Sequence, residues 1–266
     1  RTPSTRAIRI SIFTRIHPLP SAFWTRAERG NTMLEQIRPM DIERRSFEII
    51  TELLGDRKLD PENELVIKRA IHTTADFDYA DNLVFSDHAV TKGIEALRAG
   101  CDIVTDTQMA KAGINKTILA SLGGEVHCFM SDPDVAAEAK ARGVTRAIVS
   151  MERAAQPCIF AIGNAPTALV SLEALMEADK LHPALIIGVP VGFVNVIESK
   201  ELVIANCRAP YIVARGRKGG SNVAAAICNA MLRWKNTSSR TEKSSVSAIR
   251  PAPAPLPPRK RRPGCS

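Results

Sequence analysis

Two stretches of this chain carry side chains whose types and spacing suit chemistry. In residues 65–80 (LVIKRAIHTTADFDYA), Arg69 and His72 stand three apart, which on a helix sets guanidinium and imidazole on one face. An imidazole beside a fixed cation, where a helix frays, suits proton transfer. The competing reading is an ordinary surface or core histidine. In residues 215–221 (RGRKGGS), Arg215, Arg217 and Lys218 are interleaved with Gly216, Gly219 and Gly220, and Ser221 opens a helical pattern. Cations, close-approach glycines and a helix N-terminus together favour an anion, a carboxylate as readily as a phosphate. The spacing is neither GxxxxGK[ST] nor GxGxxG. Here the competing reading is a turn that needs glycine and carries incidental charge.

The elements that position these residues show in the apolar pattern. Asp60 and Pro61 predict the start of the His72 helix, and the β-branched Thr73 and Thr74 with residues 76–79 predict its end. An earlier helix carries Met40, Ile42, Phe47, Ile49, Ile50, Leu53 and Leu54 and closes at Gly55; a later one spans 87–99, capped by Ser86 or Asp87 and closed by Gly100. Beyond Gly100, short apolar runs at 102–105, 125–130, 158–162, 184–189 and 210–214 alternate with helical segments near 107–121, 133–155, 166–178, 198–205 and 220–234. That alternation predicts an α/β fold: a doubly wound, five-stranded parallel sheet, flavodoxin-like in order, with an N-terminal helical extension. Ligands of such sheets bind beyond the carboxyl ends of the strands. Those ends carry Asp106 and Thr107, then Asn164 and Thr167, then residues 190–194, and finally Arg215 to Ser221.

Among the 266 residues the net charge is +8, but it is unevenly placed. Residues 1–32 hold six arginines against Glu28, and residues 235–266 hold eight basic residues against Glu242, leaving 33–234 at −4. Basicity therefore belongs to the ends and argues against nucleic acid as the partner of the central domain. Six scattered cysteines without a CxxC fit a reducing compartment, the cytoplasm, and argue against structural zinc. No run nears the roughly 20 apolar residues of a membrane span. Residues 1–32 are Arg/Ser/Thr-rich and read as a targeting peptide, a nucleic-acid-binding arm, or sequence upstream of a start at Met33. Residues 235–266 end in PAPAPLPPRKRRPGCS, which predicts a polyproline-II tail outside the folded domain of 33–234.

Taken together, IERRSFEII (42–50), RAIHTTADFDYA (69–80), DIVTDTQMAKAGI (102–114), AIGNAPTALVSLEAL (161–175), IIGVPVGFVNVIESKE (186–201) and RGRKGGSNVAAA (215–226) resemble the precorrin-8X methylmutase family of corrin biosynthesis. The HTTADFDYA form is closer to the cobalt-early branch. The resemblance implies an isomerase that moves a methyl group from carbon 11 to carbon 12 of (cobalt-)precorrin-8, working as a flavodoxin-like homodimer without cofactor or metal. It implies His72 as the catalytic proton donor. Ser46 and Arg69 match substrate-binding positions, and Thr73 beside the histidine is taken with them. The macrocycle's acidic rim would be held by Asp106, Thr107, Asn164, Thr167, Arg215, Arg217, Gly219, Gly220 and Ser221. The alternatives are a non-catalytic tetrapyrrole or nucleotide carrier on the same loops, and a nucleic-acid binder acting through its tails.

Overall fold

A computed structural model describes Glu35, residues 37–154 and residues 158–234. The expectations for 1–32, for a start at Met33 and for the tail from 235 onward lie outside these residues. The chain forms two compact units, residues 1–46 and 47–266. In the first, a short 3-10 turn at Pro39–Asp41 leads into helix α1 (Ile42–Leu54). Asp41 accepts from Arg38 at 2.8 Å and from Arg44 at 3.1 Å, as suits an acid at a helix start.

The second unit is a six-stranded sheet covered by helices. Its strands are β1 (Leu83–Phe85), β2 (Ile103–Thr105), β3 (Val126–His127), β4 (Ile159–Ile162), β5 (Leu185–Gly188) and β6 (Tyr211–Ala214). The spatial order is β1-β6-β5-β4-β2-β3, with β1 antiparallel to β6 and every other pairing parallel. The expected five-stranded parallel sheet is instead six-stranded: each expected segment contributes a strand, and β1 adds an antiparallel edge. Strand β1 is not foreseen, because three apolar residues between two helices acquire strand geometry only by pairing with the distant β6. The expected strand at 125–130 shrinks to two residues, since Cys128 leads directly into a 3-10 turn at Phe129–Ser131.

Helices α2 (Glu64–Thr74), α3 (Tyr79–Asn82), α4 (Ala89–Arg98), α5 (Gln108–Gly113), α6 (Lys116–Ser121), α7 (Pro133–Arg142), α8 (Arg146–Glu152), α9 (Pro166–Glu177), α10 (Val196–Asn206) and α11 (Ser221–Leu232) complete the unit. Several boundaries differ from expectation. The segment 107–121 splits because the Asn115 side chain accepts from Ile118 N and starts a new helix. The segment 133–155 splits at Gly143, which is left-handed at φ 66°, after which Thr145 caps α8. Asp60 accepts from Glu62 N at 3.0 Å, but residues 61–63 form a turn and α2 begins only at Glu64. Helix α4 starts at Ala89 behind a left-handed His88 rather than at Asp87. No helix among the described residues is long and apolar enough to cross a membrane.

Alternation along the strands divides the core in two. Ile103, Ile159, Ala161, Ile187, Ile212 and Ala214 face α2, α4 and α11; Val104, Phe160, Ile162, Ile186 and Val213 face α8, α9 and α10. Both sheet faces are therefore buried, and open chemistry is confined to the strand ends.

Candidate functional site

Helix α2 buries Val66, Ile67, Ala70 and Ile71 and leaves His72 exposed. Its end is closely built. Thr73 and Thr74 turn their hydroxyls back to the carbonyls of Arg69 and Ala70, at 2.9 and 2.8 Å. Ala75 then adopts the left-handed conformation at φ 55°, its N–H donating to Ile71 O at 2.7 Å. Asp76 N donates to the Thr74 hydroxyl and Asp78 N to the Asp76 carboxylate, a local turn that replaces the helix ladder. One turn of α2 thus ends with His72 outward. Its imidazole stacks on Phe47 with centroids 5.5 Å apart, and the Arg69 guanidinium lies 4.7 Å from the centroid of the same ring. Arg69, Phe47 and His72 form one cluster. Phe47, read from the sequence only as part of an apolar stripe, is a ring neighbour of both that spacing did not reveal. Ser46 lies in the first compact unit, where its hydroxyl donates to Ile42 O at 2.9 Å.

The strand-end loops meet one another closely. Asp106, only 1% exposed, accepts from the N–H groups of Gly163, Asn164 and Ala165 at 2.9, 2.7 and 2.6 Å. It was expected to hold substrate, and the structure corrects that: its oxygens are spent inside, clamping the β4–α9 loop to β2. Burial pushes its carboxyl upward while the three N–H groups pull it down. Thr107 caps α5 through Ala110 N, and its hydroxyl lies 2.7 Å from that of Ser221. A Cβ on Gly163 would lie 2.6 Å from Ser221 Cα, so only glycine lets these loops touch. Asn164 is exposed, and Thr167 is half-buried with its hydroxyl 3.0 Å from that of Thr145.

The β6–α11 loop is held from every side. Arg215 engages Glu201 through two bonds of 2.9 and 3.1 Å, and its N–H donates to Asn82 O. Arg217 donates to Phe193 O at 2.8 Å, its guanidinium 5.5 Å from that ring's centroid. Gly220 N donates to Val189 O at 2.8 Å, and a Cβ on Gly219 would fall 2.1 Å from the same oxygen. Lys218 pairs with both Asp76 and Asp78, at 2.7 and 2.5 Å, which holds its ammonium well above the usual lysine range and lowers Asp76. This pair of bridges ties the turn after His72 to the anion-suited loop. Antiparallel β1 does the same through the backbone, since Leu83, just beyond α3, lies opposite Ala214 at the carboxyl end of β6.

Of the expected residues, Thr107, Ser221, Gly219 and Gly220 come together with the Asn164 loop, and His72, Arg69 and Thr73 lie on the helix that Lys218 tethers to them. Two cavities lie elsewhere: about 680 Å³ between α9 and α10, lined by Glu173, Glu177 and Arg208, and about 410 Å³ beside α8, lined by Arg142 and Lys180. Neither is lined by an expected site residue. On the loop after β5, Val191, Phe193 and Val194 are exposed.

A mostly parallel sheet with a cationic, glycine-rich loop after β6 and a solvent-facing imidazole on α2 defines an α/β protein with a candidate site at the carboxyl ends of its strands. Comparison with known proteins makes this particular. The precorrin-8X methylmutase family profile matches residues 41–234. A cobalt-precorrin-8 methylmutase of Salmonella typhimurium is 46% identical over 204 residues, covering 73% of this chain and 95% of that one. Another, from Priestia megaterium, is 44% identical over 198 residues, covering 73% and 88%. The solved structure of precorrin-8X methyl mutase from Thermus thermophilus superposes with a TM-score of 0.67 at 36% identity, covering 73% of this chain and 96% of that one. The chain belongs to the precorrin-8X methylmutase family.

Proposed function

We propose that this protein is a cobalt-precorrin-8 methylmutase, an isomerase of corrin biosynthesis, with His72 as the proton donor that assists migration of a methyl group from carbon 11 to carbon 12. A shift around a conjugated ring lets one placed donor stabilise the charge that develops as the methyl moves. Arg69 and Thr73 bind beside it, Ser46 is a further substrate-binding residue, and Asn164, Thr167, Arg215, Arg217 and Ser221 receive the acidic rim. We read the parallel part of the sheet as flavodoxin-like from its strand order, and the active form as a cytoplasmic homodimer. A second copy would close the open edge where Val191, Phe193 and Val194 are exposed.

One observation carries this reading. The Lys218 bridges to Asp76 and Asp78 set the His72 turn beside the loop best suited to carboxylates. The test is His72→Ala supplied with cobalt-precorrin-8 and with the metal-free ring, followed by absorption and mass spectrometry. The expected result is a ring that still binds and no longer rearranges. Near-native turnover in that variant rules out the proton-donor role.

A further inference from the structure

Lys200 on α10 is fully buried, yet it belongs to none of the groups assigned above. Its ammonium donates to Gly216 O and Lys218 O, both at 2.8 Å, and the described residues offer it no carboxylate. A third carbonyl of the same loop, that of Arg217, accepts from Gly192 N at 3.3 Å. The carbonyls of three successive residues are thus engaged, two by the buried Lys200 and one by the loop after β5. In a trans peptide the N–H points opposite to its C=O, and the described chain has no cis bonds. Holding Gly216 O therefore turns the N–H of Arg217 away from Lys200, and holding Lys218 O does the same for Gly219. Neither of these N–H groups finds an acceptor among the described residues.

We propose that Lys200 is a positioning residue: its buried ammonium fixes two peptide units so that the N–H groups of Arg217 and Gly219 face outward as donors for one substrate carboxylate. The proposal rests on the methylmutase reading for its ligand and on geometry for its mechanism. A neutral side chain of similar length would fill the space but leave both carbonyls unpaired. They would then be free to rotate toward solvent and bring their electronegative ends to the ligand side. Arg and Lys side chains on the loop supply charge, whereas the backbone supplies direction, and direction is what Lys200 sets. Burial draws the lysine down to about 8, so near neutral pH it is still mainly the ammonium that this arrangement needs.

The test compares the native protein with Lys200→Met, which keeps length and loses the charge, and with Lys200→Gln, which keeps a neutral donor. Each is titrated with cobyrinic acid, a corrin polycarboxylic acid, and with its fully methylated ester, read by absorption. Lys200→Met should bind the acid about tenfold more weakly, leave ester binding unchanged, and raise KM with little change in kcat. Lys200→Gln should fall between. Equal affinity for the acid in native and Lys200→Met overturns the proposal, as does ester binding that falls in step with the acid, which marks a merely structural loss. A ligand-free reading uses the 15N-labelled Gly219 amide, whose proton should move upfield in Lys200→Met as its peptide loses polarisation. An unmoved amide also overturns the proposal. A native protein that has the polarised amide but neither binds nor converts the corrinoid refutes the substrate and leaves the hold of Lys200 on the loop standing.

Discussion

Replacing Asp106 by Ala tests whether the strand-end loops are held from inside. The carboxylate is nearly inaccessible and accepts three backbone N–H groups. Gly163 N–H is buried with it, so water cannot easily replace the lost acceptor. Each buried N–H left without a partner costs about 1–3 kcal/mol. Removing the carboxylate also removes its own desolvation penalty, the effect that pushes its carboxyl upward, and this returns several kcal/mol. The net loss worked from these opposing effects is about 3 kcal/mol, or a Tm lower by about 6–12 °C for a domain of this size. Asp106→Asn keeps the volume and one acceptor and should lose about half as much. Urea unfolding followed by far-ultraviolet circular dichroism measures both. If Asp106→Ala stays within about 1 kcal/mol of the native protein while ligand affinity collapses, the carboxylate meets the ligand directly and the clamp is wrong.

The remaining predictions concern the same edge. Gly163→Ala forces a Cβ to within 2.6 Å of Ser221 Cα and must part the β4 and β6 loops; KM should rise, and an unchanged KM would show that the two loops need not touch. Thr107→Val removes both the α5 cap and the 2.7 Å hydroxyl pair with Ser221, costing about 1–2 kcal/mol in urea unfolding. Lys200 titrates near 8 when folded and near 10.4 when unfolded. Below the first value both states hold the proton, and between the two values only the unfolded state keeps it. Native stability should therefore rise with pH across that window by up to about 1.4 kcal/mol per unit relative to Lys200→Met. A pH-independent difference between the two proteins would remove the lysine from the account.

Much of the architecture was legible because it is written locally. The apolar runs of β2, β4, β5 and β6 stand out because both sheet faces are buried, which makes each strand continuously hydrophobic, and a short continuous run bounded by turn residues is hard to misread. Helix ends marked by Gly55 and Gly100 were equally readable, since caps satisfy backbone groups within a few residues. The cation-glycine loop and the Arg69–His72 spacing were visible for the same reason: helix period and side-chain type are local facts. The splits at Asn115 and Gly143 were harder, because a cap inside a helical run looks like one more polar residue until the chain turns.

Residue types and spacing decided which groups could act: one imidazole beside an arginine, and one loop able to attract an anion. Folding decided that they belong to one edge. The three-residue strand β1 pairs antiparallel with β6, so the chain leaving α2 arrives beside the carboxyl end of the sheet, and Asp76 and Asp78 close the gap by gripping Lys218. Folding also turned Asp106 inward, although its place at a strand end pointed to the ligand, and it buried Lys200 beneath the loop. No periodicity carries that information, because it depends on which backbone N–H or C=O a distant segment leaves unsatisfied, and that is settled only when the loops meet.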